Sequence, residues 1–312
     1  MIKYLKHQDI DYQKWDDCIS KAANSYVYAF SWYLDIVADE WDALVEDDYQ
    51  SIFPLPFRTK MGIKYCYQPT FTQQLGLFSK SIDTKENLQD FLDTIPSDFR
   101  LIELNINKYF VPEASTGVEI KKNINIELAL NQDYQSIQTN YSTNLKRNIK
   151  KGVKNGLQLF PQIKPEALIQ LFKENKGSEI SAFSSDDYLR LSRLIYALMD
   201  RNMAEIYSVG SMENNLLAAA LFVKSKERYI FLFSGLSNEG KQSGAMPFLI
   251  DRFIQDHCNS NNILDFEGSN DSNLARFYQS FSAGNYHYYS YRKMDMPFWL
   301  KTPLHIYKKF RK

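Results

Sequence analysis

Residues 229–278 read YIFLFSGLSNEGKQSGAMPFLIDRFIQDHCNSNNILDFEGSNDSNLARFY. The apolar run Tyr229–Phe233 predicts a strand, and the glycine-bearing stretch Ser234–Ala245 predicts a loop that leads into a helix at Met246–His257. A second strand at Ile263–Glu267 and a second helix follow. Alternating strands and helices of this length predict an α/β fold in this part of the chain.

The loop before the predicted helix at Met246–His257 is a candidate site for an anionic carrier. Backbone N–H groups at a helix start lack partners within the helix, and the helix dipole adds positive potential there, so that such a loop attracts phosphate. The strand ends and the second helix would lie at the same edge of the sheet. The residues expected to bind the carrier are Phe233, Ser234, Lys241, Gln242, Ser243, Gly244, Ala245, Asn270 and Asn273.

Length and composition predict a folded protein of two domains. The chain has 312 residues, of which 44% are hydrophobic and 24% charged, and domains commonly contain about 100–200 residues. An alternating strand gives way to a polar stretch near Asn131–Ser136, which places the expected boundary between domains 1–131 and 132–312. The formal net charge of zero gives no overall field that would draw the chain to DNA or to an anionic membrane.

The cysteine pattern and the apolar runs favour a cytoplasmic protein. Cys18, Cys66 and Cys258 are odd in number and far apart, so they indicate neither a disulfide framework nor a metal site. The longest apolar run, Leu216–Val223, is far shorter than the ~20 residues that span a bilayer. The basic tail Phe298–Lys312 is expected to be a docked terminal helix, or else a weak contact with an anionic membrane surface.

Turn residues and periodicity also predict elements outside the opening stretch. Ser31 is expected to cap a short helix, and Pro54 and Pro56 are expected to push their strand to an edge or a bulge. A further helix is predicted at Thr84–Ile95. In the second half, a helix is expected around Ser142–Asn155 and to end at Asn155-Gly156 with a left-handed residue.

The helix at Ser142–Asn155 is strongly basic. One interpretation is a solvated helix face, which is the usual reason for such a run. The other is a clamp for phosphates of tRNA, coenzyme A or a nucleotide-linked acceptor, because the balancing acids lie elsewhere in the sequence. The cations of this helix are Lys146, Arg147, Lys150, Lys151 and Lys154, and the first three are the candidate phosphate ligands.

Three segments resemble the tandem acetyltransferase-like superfamily, which contains the Fem-type peptidoglycan bridge-forming transferases and the acyltransferase-6 group. They are Ser142–Gly152, which is similar to the basic helix that opens the second domain of these proteins, the late strand Leu264–Ser269, and Ala275–Gln279. The resemblance implies two GNAT-like domains, each with a mixed, largely antiparallel sheet flanked by helices. It also implies an acyl transfer, with the catalytic site in the second domain.

Within this resemblance, two residues are candidates for catalysis, and one loop can be compared with the pattern of the family. Acyl transfer to an amine needs a base and an acid, and Glu267, at a strand end, is the candidate base. Tyr278 matches the tyrosine by which GNAT enzymes protonate the leaving thiolate. The alternatives are a surface or capping carboxylate for Glu267 and a packed core residue for Tyr278, whose neighbours fall at helical spacing. The stretch Lys241–Met246 keeps the central glycine of the GNAT pyrophosphate loop but departs from its pattern at both ends, and the Met246 side chain is expected to crowd a pyrophosphate.

Three functions remain open from the sequence. The first is an N-acyltransferase that moves an acyl group from acyl-CoA to a small-molecule or peptide amine. The second is a Fem-type transferase that uses aminoacyl-tRNA and adds an amino acid to a peptidoglycan-precursor peptide. The third is a non-catalytic binding protein that keeps the fold. In the first two, the donor is a co-substrate and no tightly bound cofactor is expected.

Overall fold

The computed structural model describes residues 1–60, 62–81, 88–161, 163–177, 183–268 and 270–295. These residues fall into two compact units, one formed by Met1–Asn123 together with the chain from Tyr288 onward, and the other by Ile124–His287. The expected domains 1–131 and 132–312 stay a prediction. The basic tail at Phe298–Lys312 and the first part of the helix expected at Thr84–Ile95 lie outside the described residues.

Strands and helices are mixed along the chain, as expected for the α/β class. The strands are β1 (Ile2–Leu5), β2 (Glu40–Glu46), β3 (Ser51–Lys60), β4 (Ile63–Cys66), β5 (Phe78–Ser79), β6 (Phe99–Ile106), β7 (Val118–Ala129), β8 (Gln158–Leu159), β9 (Ala204–Gly210), β10 (Leu216–Ser225), β11 (Arg228–Leu236), β12 (Ile263–Asp265) and β13 (Gly284–Met294). The helices are α1 (Tyr12–Lys21), α2 (Ser31–Val37), α3 (Leu88–Thr94), α4 (Tyr134–Thr139), α5 (Thr143–Lys154), α6 (Pro165–Phe172), α7 (Ser185–Asp200), α8 (Asn238–Ser243), α9 (Ala245–His257) and α10 (Ser272–Gln279).

The first unit is built on a sheet with the strand order β1-β2-β3-β4-β6-β13, with β5 beside β3. Most neighbours are antiparallel, and β4 and β6 run parallel. Pro54 and Pro56 pair with β2, and they lie between the stretches of β3 that pair with β5 and with β4. The missing N–H groups of the prolines therefore fall in a gap of the ladder. Strand β3 is paired on both sides and its register with β2 is unbroken, so the expectation of an edge strand or a bulge is wrong.

The cap expected at Ser31 is also wrong. Helix α2 begins at Ser31 itself, its N-cap is Phe30, and the Ser31 hydroxyl donates to Asp16 instead (2.9 Å). A tertiary hydrogen bond to a carboxylate has replaced the local capping bond that the sequence favours.

The second unit has the strand order β7-β12-β11-β10-β9-β8. Its neighbours are antiparallel except for β11 and β12, which run parallel. Helix α9 packs its apolar stripe on this sheet, so that Leu249, Phe253 and Ile254 are buried. Helix α5 lies where a helix was expected, with Ser142 as its N-cap, and it ends before Gly156, whose φ of 67° confirms the left-handed termination.

The polar stretch near Asn131–Ser136 contains an unexpected helix, α4, whose N-cap Asp133 accepts from the Ser136 N–H (3.0 Å). This helix is fastened to α9 by a buried acid. The Tyr134 hydroxyl donates to Asp251, at 2.9 Å from each carboxylate oxygen, and Gln138 donates to the Tyr134 hydroxyl (2.7 Å). Asp251 is only 1% exposed, and burial raises the pKa of its carboxyl despite the bond from Tyr134.

The buried acid predicts how stability depends on pH. Because the pKa of Asp251 is raised in the folded state, its contribution is complete below the unfolded-state pKa and is lost as the pH rises through the folded-state pKa. We expect Asp251→Asn, which keeps an acceptor for Tyr134, to remove this loss, so that the variant equals or exceeds the wild type at pH 8. Urea unfolding of both proteins at pH 4 and pH 8 measures the difference in their free energies of unfolding.

Two further variants separate the charge from the hydrogen bond. Asp251→Ala leaves the half-buried Tyr134 hydroxyl without its acceptor and is expected to cost about 1–3 kcal/mol at both pH values. Asp200→Asn, at an exposed position of α7, is the matched control and is expected to change neither curve. A wild-type chain that gains stability relative to Asp251→Asn from pH 4 to pH 8 would contradict the raised pKa.

Candidate active site

The candidate site lies where two parallel strands of the second unit separate. Strands β11 and β12 are paired over three residues, from Arg228 with Ile263 to Ile230 with Asp265. Beyond that point β11 continues to Leu236 in register with β10 only. An opening therefore forms between the second half of β11 and the chain that follows Asp265.

Strand β11 also carries a bulge at this opening. Leu221 pairs with Phe233 while Phe222 pairs with Phe231, which leaves Leu232 as the extra residue. A bulge turns backbone groups out of the ladder and is common next to active sites. The sequence gives no local sign of this bulge, because the stretch is apolar throughout.

The chain after β12 turns sharply at Glu267 and Gly268. Both residues have a left-handed backbone, with a φ of 58° at each. The strand expected at Ile263–Glu267 is thus wrong at its end, since β12 stops at Asp265 and the Glu267 N–H donates to the Asp265 carboxylate (2.8 Å). A left-handed glutamate is uncommon and is held here by its surroundings, as at many functional sites.

Tyr278 lies beside this turn, on helix α10. Its ring stacks on Phe266 at 4.7 Å between centroids and meets the edge of Phe231 at 6.0 Å, and the residue is 7% exposed. Burial, followed by the negative charge of Glu267, raises the pKa of Tyr278 above its usual range. The phenol therefore stays protonated at ordinary pH and shares its electrostatic environment with Glu267.

A buried ionic cluster underlies the point where the strands separate. Nη1 of Arg228 lies 2.9 Å from Glu127 of β7 and 2.7 Å from Asp265 of β12. The amide of Asn125 donates to both carboxylates, at 3.0 and 3.1 Å. Burial and the charge of Glu127 raise the pKa of Asp265, although Arg228 lowers it.

Sequence reasoning missed this cluster. Glu127 and Arg228 are 101 residues apart, so no local spacing joins them. The available signal was a charged residue within an apolar strand pattern, as at Glu127 and Asp265, because buried charges require partners.

The expected carrier loop is largely helical. Ser234 and Gly235 belong to β11, Ser237 caps α8, and only Gly244 separates α8 from α9. The prediction of an open loop at Ser234–Ala245 is therefore wrong. The cause is the Ser237 hydroxyl, which accepts from the Gly240 N–H (2.9 Å) and starts a helical turn within a glycine-rich segment.

Gly244 is required by the contact between α9 and α5. Its φ is 83°, and a Cβ at this position would lie 2.6 Å from the carbonyl oxygen of Asn148. Helix α5 thus covers one side of the α9 N-terminus, and Lys241 and Gln242 are exposed nearby on α8. Met246 is buried in the core, with 6% of its surface exposed. Contrary to the expectation, its side chain therefore does not crowd the helix N-terminus.

One side of the basic helix α5 contacts the short connection at Gly244 between α8 and α9. Asn148 contacts Gly244, and the Asn155 amide donates to the Ser243 carbonyl (3.4 Å). At about 100° per residue, Lys151 falls on the same side of the helix, whereas Lys146 and Lys150 fall on the opposite flank. The predicted carrier stretch therefore lies on the side of α5 that carries Lys151, a lysine that was not among the three candidates.

The other predicted site residues have varied surroundings. The Lys146 ammonium donates to the Thr139 carbonyl (2.7 Å) and Arg147 to Asn144 (2.7 Å), while Lys150 is exposed. Phe233 is buried and packs on Phe172 at 4.7 Å between ring centroids. Ser234 is half-buried, Ala245 is buried, and Asn270 and Asn273 are exposed around the start of α10.

The described residues contain neither a metal-binding cluster nor a membrane-spanning helix. They contain no group of three or more His, Cys, Asp or Glu side chains arranged to hold a metal ion. No helix among them has both the length and the apolar character needed to cross a membrane.

The fold is similar to those of several solved structures. FemX aligns with 99% of this chain and 100% of its own, at a TM-score of 0.65 and 12% sequence identity. L-PGS from Bacillus licheniformis aligns over 96% of each chain, at 0.54 and 11%. The C-terminal domain of a putative lysylphosphatidylglycerol synthetase from Agrobacterium fabrum aligns over 90% of each chain, at 0.55 and 11%.

These alignments confirm the mixed α/β fold class that was expected and show that the fold is similar to that of FemX. At 11–12% identity the likeness concerns the fold alone. No protein-family model matches the sequence, and no curated protein sequence matches it either.

The turn at Glu267 and Gly268 generates a stability prediction. A Cβ on Gly268 would lie 2.2 Å from the Ile124 carbonyl oxygen, in addition to the left-handed backbone. We expect Gly268→Ala to destabilise the protein by roughly 3 kcal/mol or more, because the added Cβ would meet backbone atoms of Ile124 and Asn125. The free energy of unfolding in urea measures the loss.

Gly117→Ala is the matched control. Gly117 also has a left-handed backbone, with a φ of 81°, but nothing lies within 4 Å of an added Cβ. It is expected to cost about 1 kcal/mol, from backbone strain alone. Equal losses in the two variants would contradict the close approach at Gly268.

Proposed function

We propose that this protein is an N-acyltransferase that transfers an acyl group from an acyl-CoA-type donor to an amine. The observation that carries the proposal is the pairing of Glu267 and Tyr278 at the opening between β11 and β12. A carboxylate in a fixed turn and a phenol that stays protonated provide a base and an acid at one place.

The proposed reaction uses these groups in order. The amine attacks the thioester carbonyl, a C–N bond forms, and Glu267 takes the proton that the amine loses. Backbone N–H groups at the Leu232 bulge donate to the carbonyl oxygen as its negative charge develops. The C–S bond then breaks, Tyr278 protonates the leaving thiolate, and the proton held by Glu267 returns to Tyr278 through solvent.

The donor is proposed to lie along the second half of β11, with its phosphates at the N-terminus of α9. The first-turn N–H groups of Ala245 and Met246 have no partner within the helix, and Pro247 has no N–H group. Lys151 of α5 supplies a positive charge on the adjoining side. Gly244 fits this role because only a glycine allows α5 to come this close.

A Fem-type transferase that uses aminoacyl-tRNA is the second candidate. It is favoured by the charge of α5, since Lys150, Lys151 and Lys154 are exposed and no ion pair among the described residues involves this helix. In that case Lys146, Arg147 and Lys150 bind phosphates of the RNA, and the acceptor is a peptidoglycan-precursor peptide. For either candidate we propose a cytoplasmic location.

The catalytic roles are tested by two conservative variants. Tyr278→Phe keeps the ring against Phe266 and removes only the proton donor, and Glu267→Gln keeps the side-chain length. We expect each to lower kcat by about 10²-fold or more, with little change in thermal stability. Because the pKa of Tyr278 is raised, Tyr278→Phe should lower the rate uniformly from pH 6 to pH 9 without moving the pH profile.

Controls at exposed positions complete this test. Tyr286→Phe and Glu239→Gln change the same chemical groups away from the opening and are expected to leave the rate unchanged. Undiminished turnover in both site variants would refute the assigned roles. Loss of folding in Tyr278→Phe would assign the hydroxyl to the core instead.

The donor is tested by calorimetry with acetyl-CoA and longer acyl-CoAs. A charge-assisted hydrogen bond contributes about 1.5–3 kcal/mol, so Lys151→Glu should weaken binding about tenfold or more. Lys146→Glu, on the opposite flank of α5, is the matched control and should change it little. No binding at millimolar acyl-CoA would eliminate this donor.

The same proteins test the RNA alternative. Joint charge reversal at Lys146, Arg147 and Lys150 should weaken tRNA binding and reduce its salt dependence if RNA is the carrier. Failure of the wild type to bind tRNA at low salt would eliminate the Fem-type candidate. Failure to bind either donor would leave the non-catalytic binding protein.

A further inference from the structure

Strand β9 has an open edge over its first four residues. Strand β8 pairs with β9 only at Val209 and Gly210, and the last bond between them runs from the Phe160 N–H to the Ser208 carbonyl (2.9 Å). Within the part of the chain that the structure describes, no strand continues this ladder. Since backbone groups alternate in an antiparallel sheet, Ile206 presents both its N–H and its carbonyl at the open side.

A groove of about 880 Å³ lies along this edge, away from the opening between β11 and β12. One wall is apolar and comes from α6 and α7. It includes Pro165, Tyr196 and Met199, and the last two are 47% and 42% exposed. Ile206 contributes to the same groove.

The opposite side of β9 is acidic. Side chains alternate along a strand, so Glu205 and Tyr207 lie on the other face from Ile206. The Tyr207 hydroxyl donates to Asp256 (2.8 Å), and Nε2 of His257 lies 3.0 Å from Glu205. A tyrosine hydroxyl leaves the full negative charge on its carboxylate partner.

A third carboxylate lies at the start of α6. The Tyr196 hydroxyl donates to Glu166 (2.8 Å). The groove then has three acids, Glu166, Glu205 and, at its extension, Asp256, against one lysine in its lining, Lys164, and the imidazole of His257. The net charge of the edge is negative.

We propose that the open edge of β9 binds an extended cationic peptide in which basic and apolar residues alternate. The peptide adds as a strand, with its backbone paired to Ile206, its apolar side chains toward Tyr196 and Met199, and its basic side chains toward Glu205 and Asp256. The two faces of the edge require this period of two, because neighbouring side chains of a strand point to opposite faces. The proposal is independent of the acyl transfer.

The probe is the peptide acetyl-Lys-Val-Lys-Val-Lys-Val-Lys-amide with a terminal fluorophore, and fluorescence anisotropy measures its binding to the full chain. We expect saturable binding that weakens with salt. A peptide with N-methyl groups on alternate residues keeps the charge and side chains but loses backbone donors, and it should bind about tenfold more weakly. A Glu-Val peptide of the same length should not bind.

Protein variants test the same surface. Ile206→Pro removes the outward N–H, is compatible with an edge strand, and should weaken binding about tenfold, whereas Ile206→Val should not. Glu205→Gln with Asp256→Asn should reduce both the affinity and the salt dependence, and Glu239→Gln on α8 is the control. Circular dichroism of each variant establishes that it is folded.

Three binding results would overturn the proposal. They are no binding of the Lys-Val peptide at low salt, equal binding of its N-methylated form, and full affinity in the folded Ile206→Pro variant. A concentration-dependent dimer that Ile206→Pro abolishes would assign the edge to a second copy of the chain and would also overturn it.

Discussion

The guanidinium of Arg228 is a single buried positive charge between two buried carboxylates, Glu127 and Asp265, at the place where β11 and β12 separate. Desolvating these groups is costly, and removing one partner of such a pair typically costs about 3–5 kcal/mol. The cluster joins three neighbouring strands of the second unit. It holds Asp265, the last residue of β12 that pairs with β11, at the point beyond which the opening lies.

The same cluster extends to the candidate catalytic turn. One oxygen of Asp265 accepts from the Glu267 N–H, so the carboxylate that pairs with Arg228 also holds the left-handed backbone of Glu267. Gly268 follows with no room for a side chain. The position of the Glu267 carboxylate beside Tyr278 is therefore determined by buried groups beneath it, and not by the surface on which it lies.

Local signals in the sequence predicted much of the fold, and long-range contacts account for what they missed. Helical spacing and the Ser142 and Gly156 termini correctly located α5, because capping depends on neighbouring residues. The bulge at Leu232 and the turn at Glu267 depend on contacts with other strands, which no local pattern contains. The carrier stretch was misread as a loop because Ser237 starts a helix where the glycines suggested none.

The altered carrier motif illustrates why the fold does not identify the donor. Gly244 matches the GNAT loop, yet its contact with the Asn148 carbonyl is sufficient to require a glycine for packing alone. Met246 departs from the pattern, yet its side chain lies in the core and leaves the helix N-terminus unobstructed. Neither residue discriminates between carriers. The discriminating groups are the cations on the two flanks of α5, since Lys151 falls on the side of the helix that meets Gly244 and Lys146 and Lys150 fall on the other side. Binding of a small thioester carrier would depend on Lys151. Binding of an RNA, whose phosphates extend further, would depend on Lys146 and Lys150.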